Sequence, residues 1–113
     1  MGDVANATAE RALNDAFSAL ANRDRRRLLR ELRRGPLPTP AIAGQFDFSK
    51  QALSRHLAVL EHAGLIERHT RGRIRYIRLA PAPLQRVSNW IFELRRGWQA
   101  SLDRLDRVLE EHR

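Results

Sequence analysis

Between Ser49 and Leu79 a helical apolar ridge stops at a glycine, and two strand-like runs follow at once. Leu53, Leu57 and Leu60 recur at steps of four and three, which places them on one face of a helix. Ser49 is placed to cap that helix, and Gly64 falls where a left-handed residue ends one, with Leu65 supplying the apolar contact just after it. The runs LIERHT and IRYIRL meet at Arg71-Gly72-Arg73, which reads as a hairpin tip loaded with guanidinium groups. Few architectures accept a helix joined so directly to an arginine-tipped hairpin. The polar side of the helix is equally telling. Lys50, Gln51, Ser54 and Arg55 lie away from the leucine ridge and carry groups that hydrogen-bond base edges or phosphates.

Charge follows the same segment. The chain has 113 residues, enough for one modest core, and a formal net charge of +8, which points to an anionic partner, most naturally nucleic acid. Residues 49–79 hold seven basic and two acidic side chains, so five of the eight net charges sit in that stretch. The absence of cysteine excludes disulfides, thiolate metal sites and thiol redox sensing. No apolar run approaches the ~20 residues of a membrane span. Met1 to Glu10 lacks the apolar stretch of a signal peptide, so a soluble cytoplasmic protein without a membrane partner is expected.

The remainder of the chain reads as helices. Residues 1–7 are expected as a flexible tail and residues 8–113 as one DNA-binding and dimerisation domain. A first helix spans about residues 8–21, with Leu13, Ala16, Phe17 and Leu20 on one face. Asn22 is placed to cap a second, which shows Leu28, Leu29 and Leu32 to a core and stops at Gly35-Pro36. Its seven arginines between Arg23 and Arg34 read either as contacts to DNA flanks or, more commonly, as a solvated face with Asp24 and Glu31 in weak pairs. A short third helix opens with Thr39 as cap and Pro40 at its first position. Phe46-Asp47-Phe48 then bends the chain into the helix described above, giving a helix-turn-helix pattern. Pro81 and Pro83 announce a last helix to about residue 111.

That last helix carries Leu84, Val87, Ile91, Leu94, Trp98, Leu102, Leu105 and Leu109 at spacings of three and four. Such a stripe is longer than one small domain can cover, so with Leu13, Phe17 and Leu20 of the first helix it suggests a dimer interface. The expected fold is mostly α with a β-hairpin wing, a winged helix-turn-helix in the order α-α-α-α-β-β-α. In it, Ser49 and the first-turn N–H groups hold a phosphate, Lys50 touches the backbone, Gln51 pairs with adenine and Arg55 with guanine, and Ser54 allows close approach. Arg71 and Arg73 at the wing tip meet phosphates or a narrow groove. Arg68, Arg75 and Arg78 on the strands add field or cover core edges.

The stretch SKQALSRHLAVLEHAGLIERHTRGRIRYIRLAP resembles the recognition helix and wing of the ArsR/SmtB family. The resemblance rests on Ser-x-x-x-Leu-Ser-Arg-His-Leu-x-x-Leu-x-x-Ala-Gly-Leu-Ile followed by Gly-Arg-x-x-Tyr-x-x-Leu. The upstream AFSALANRDRRRLLRELRRG is similar to that family's opening. It implies a homodimeric winged-helix transcription factor, usually a repressor on a pseudo-palindromic operator, with residues 49–56, His56 among them, as the DNA-reading segment.

The family's metal sensors do not transfer. Where its thiolate pattern has cysteines this chain has Pro38-Thr39-Pro40, and its last helix offers Asp103, Asp106, Glu110, Glu111 and a lone His112, a spacing that builds no convergent cluster. No metal or other cofactor is expected. His56, His62 and His69 read as packing groups or phosphate contacts. The last helix is similar to that of a metal-independent branch, which implies repression that is constitutive, autoregulatory or released by an unidentified small-molecule or protein effector. Trp90, Phe92 and Trp98 would line such a ligand's pocket, or form dimer core, the commoner use of aromatics at helical spacing. Gly97 marks either close approach of a partner or a kink. No nucleophile–base pair or carboxylate dyad suggests an enzyme. The rival readings are an architectural DNA binder held by charge alone and an interaction module using the last helix. Base-reading side chains argue against the first, and the placement of the charge against the second.

Overall fold

The computed structural model describes residues 2–112; Met1 and Arg113, the ends of the expected tail and domain, lie outside them. The elements are α1 (Gly2–Leu20), α2 (Arg23–Leu32), β1 (Leu37–Pro38), α3 (Thr39–Gln45), α4 (Lys50–His62), β2 (Ile66–Arg71), β3 (Ile74–Leu79) and α5 (Ala82–Glu111). This is a winged helix-turn-helix, with one strand more than expected. β1 pairs antiparallel with β3 through Leu37↔Ile77 and Pro38↔Tyr76, giving the sheet order β1-β3-β2. Two residues are too few to show alternation, and Pro38 is tolerated because β1 is an edge strand.

α1 begins at Gly2, where a loose tail was expected up to residue 7. Apolar periodicity cannot reveal these turns, because residues 3–10 are all exposed and show no face to the core. Alanine-rich composition and Asp3 in the first turn support the helix instead. Thr39, expected as a cap, is already helical; pairing of β1 sets its hydroxyl against β3, where it donates to the Arg75 carbonyl at 3.4 Å.

Other junctions follow the sequence. Asn22 Oδ1 accepts from the N–H groups of Asp24 (2.9 Å) and Arg25 (3.1 Å), and Ser49 Oγ accepts from that of Ala52 (3.0 Å). α4 closes with the N–H of Leu65 donating to the Leu60 carbonyl and that of Gly64 to Glu61, while Gly64 takes a φ of 73°. Gly72, at φ 66°, opens the two-residue loop between Arg71 and Ile74, the position where a II′ hairpin turn calls for glycine.

Leu28, Ile42, Leu60, Leu65, Ile66 and Ile77 are fully buried and tie α2, α3, α4 and the sheet into one core, with Ala19 from α1. α5 meets it at its start through half-buried Leu84, and Val87 is buried one turn further along. It then leaves the domain, and the molecule measures 70 × 38 × 22 Å. Its radius of gyration is 19.6 Å, against ~13 Å for a compact chain of this length.

Candidate nucleic-acid interface

α4 holds a row of polar side chains outward by burying the opposite face. Leu53, Leu57 and Leu60 are in the core, while Ser49, Lys50, Gln51, Ser54 and Arg55 are exposed. Gln51, Ser54 and Arg55 share the side turned from that core, and Lys50 lies on its flank toward α3. Neither Lys50 nor Arg55 has an ion-pair partner among the described residues. The Ser49 hydroxyl is engaged in capping, so the first-turn N–H groups of α4 face outward around it.

His56 sits apart from that side. It is half-buried, with its ring 5.4 Å from Phe48, and Phe48 stacks on Phe46 at 5.4 Å with planes 1° apart. The Arg27 guanidinium lies 5.2 Å over Phe46. This column ties α2 and the turn to the recognition helix, and His56 Nδ1 is enclosed there without a hydrogen-bond partner among the described residues. The aromatic residues of the turn were visible in the sequence, but nothing there signalled their stacking.

The wing divides its arginines into two groups. Arg68 donates to Glu61 at 2.8 Å, and Arg78 to Glu67 at 2.6 Å, pinning β2 to α4 and to β3. His69 also lies 3.3 Å from Glu67. The Arg78 hydrogen bond first, then that of His69, hold the Glu67 carboxyl below its usual value of 4.5. Arg71, Arg73 and Arg75 have no such partners among the described residues and remain available to an external anion. His62 lies 3.6 Å from Asp15, away from the wing.

The arginines of α2 have a further use that sequence reading overlooked. Arg25 donates to the carbonyls of Ala19 (2.8 Å) and Ser18 (3.1 Å), and Arg26 to that of Leu20 (2.8 Å), closing the end of α1. Arg27 and Arg34 pair with Asp24 and Glu31 as expected.

A helix-turn-helix domain model matches residues 20–69, spanning this geometry from α2 into the wing. Transcriptional repressor SdpR of Bacillus subtilis (strain 168) is 34% identical over 79 residues, covering 70% of this chain and 88% of that protein. The HTH-type transcriptional regulator Rv2034 of Mycobacterium tuberculosis is 33% identical over 92 residues, covering 81% and 83%. A solved ArsR family transcriptional regulator superposes with a TM-score of 0.73 at 33% identity, covering 80% of this chain and 93% of its own. The chain belongs to the ArsR/SmtB family. An ArsR-like regulator from Rhodococcus sp. RHA1 matches 96% of both chains at a TM-score of 0.77 and 26% identity, so the similarity extends along the projecting α5.

As a member of this family of DNA-binding transcriptional regulators, the chain presents two separate surfaces. One is the α4 face with the wing tip. The other is the apolar side of α5 with α1. Of the residues expected there, Val87 is buried within the chain, Leu13, Phe17, Leu20 and Leu84 are half-buried, and Ile91, Leu94, Trp98, Leu102 and Leu105 are exposed. Trp90 meets Phe17 edge-to-face at 5.6 Å, joining α5 to α1. Trp98 is 65% exposed and Phe92 59%, so neither encloses a cavity within this chain. Among the described residues no three His, Asp or Glu side chains gather as a metal-binding group, and no helix is long and apolar enough to cross a membrane.

Proposed function

We propose that this regulator is a cytoplasmic repressor that binds a pseudo-palindromic operator as a homodimer and needs no metal to do so. The observation that carries the reading is the α4 surface: Gln51, Ser54 and Arg55 stand exposed on a helix whose back is locked into the core. In the major groove Gln51 and Arg55 make the bidentate contacts that suit adenine and guanine, and Ser54 lets the helix approach. The unpaired Arg71 and Arg73 anchor the wing to phosphates or the minor groove, and Lys50 contacts the backbone. His56 supports the helix from Phe48 while its outer edge reaches the phosphates. The two-fold operator follows from a dimer built on α5 and α1, whose exposed Leu94, Trp98, Leu102 and Leu105 need a partner. Repression is supported by the likeness to SdpR.

Footprinting on the DNA upstream of the protein's own gene, near physiological salt with excess competitor, tests this reading. A protected two-fold symmetric site is expected, unchanged by a metal chelator. Uniform weak protection that vanishes with salt would instead mark an architectural binder.

A further inference from the structure

Beside α4 runs a trough between α3, the flank of that helix and the tip half of the wing. It consists of two adjoining cavities of about 510 and 520 Å³ that share Thr39, Pro40 and Arg68, each within the ~300–1,000 Å³ range of small-molecule sites. Exposed Pro40 and Ala43 give it apolar walls over the edge of buried Leu53, and Ile74, 48% exposed, lines it beside the wing tip. Lys50, Arg68, Arg73 and Arg75 stand around this apolar surface, and among the described residues no carboxylate lines it. Of these four cations Arg68 alone has an acidic partner among the described residues, Glu61. A seat for a DNA phosphate needs cations and N–H donors but gains nothing from so much apolar wall. An apolar body bearing one carboxylate uses both features, because the wall desolvates the body and the unpaired guanidinium groups receive the charge.

We propose that the trough binds a small amphipathic carboxylate, its apolar body against Pro40, Ala43 and Ile74 and its carboxylate held by Arg73 and Arg75. Lys50, Ser54 and Arg73 belong both to the trough and to the DNA-facing surface. Bound acid and bound operator therefore exclude one another, and the acid acts as an inducer. This antagonism rests on the DNA-binding reading above; the site itself does not.

Calorimetric titration of the DNA-free protein with decanoate, kept below its micelle concentration, tests the site, with decanol and inorganic phosphate as controls. Saturable binding of one acid per chain is expected, about tenfold or more tighter than either control. Equal binding of decanol would reveal indiscriminate apolar adsorption, and equal binding of phosphate a bare anion seat; either overturns the site. Ile74→Asp and, from the opposite wall, Ala43→Glu should each weaken decanoate by about tenfold or more at an unchanged melting temperature. Undiminished affinity in either folded variant overturns the placement. Decanoate is then titrated into the operator complex. Release of DNA supports the antagonism, and retention of DNA by acid-saturated protein overturns it while the site stands. A protein that binds no operator at all sinks the DNA reading instead, and the calorimetry still decides the site.

Discussion

Arg55 and Arg71 carry the same guanidinium group on very different mounts. Arg55 projects from a helix whose back is buried, so its fork is held at a defined height over whatever lies in the groove. Arg71 ends β2 beside a two-residue hairpin loop and can follow a phosphate wherever it lies. Arg55→Ala is expected to cost ~1–3 kcal/mol of operator affinity and to relax the preference at one base pair. Arg71→Ala should weaken all sequences alike and lower the salt slope by about one. Binding of a panel of single-base operator variants at several salt concentrations separates the two, and a changed base preference in Arg71→Ala would refute the division. Glu67 makes a different prediction. Its carboxyl is held below 4.5 by Arg78 and His69, so the folded state favours the charged form. Its stabilisation of the wing is therefore complete above the ordinary glutamate value and is lost as pH falls through the lower folded value. Melting temperatures of the wild type and Glu67→Gln should differ near neutral pH and converge in acid. A gap that stays constant down to pH 3 would show that the pair contributes nothing through its charge.

At the scale of elements, α4 is where stability and the proposed recognition share one object. Leu53 is 6% exposed, so Leu53→Ala removes buried volume directly beneath the reading residues. A loss of ~2–5 kcal/mol in unfolding free energy is expected, and wild-type stability in denaturant would overturn the facing assigned to α4. The elements legible in the sequence were those with a long buried face and a marked end. α4 had three leucines in register, Ser49 before it and Gly64 after it, and the structure uses each as read. β1 was not legible, because two residues ending in proline form a strand only when β3 lies alongside. The first turns of α1 were missed because they bury nothing. The site divides in the same way. Exposure of Lys50, Gln51, Ser54 and Arg55 follows from helical period alone, whereas contacts between distant segments carry no local pattern. Thus Phe48 beneath His56, Glu61 on Arg68 and the carbonyls of α1 on Arg25 and Arg26 could be seen only once the chain had folded.

At the scale of the whole molecule, the proposed dimer makes the projecting end of α5 the element that would space two reading heads. In an antiparallel pairing of two such helices, residues equidistant from a common centre meet. Leu94 then faces the partner's Leu105, Trp98 its Leu102 and Ile91 its Leu109, and all three pairs centre near Gln99–Ala100. The flanking charges select nearly the same centre, with Arg95 opposite Asp106 along one edge and Glu93 opposite Arg104 along the other. None of these four has an ion-pair partner within the chain among the described residues. The arrangement sets the two copies of Val87 about 38 Å apart along the helix axis, close to the ~34–36 Å between half-sites one DNA turn apart. Under the proposed dimer, Arg95→Asp places two like-charged contacts across the interface and should weaken self-association about tenfold, as should Asp106→Arg. Combining both substitutions in one chain restores opposite charges and should recover most of the loss in sedimentation equilibrium. If the double variant dimerises no better than the two separate losses predict, the helices do not meet in this register, and the spacing of the reading heads must be set by α1.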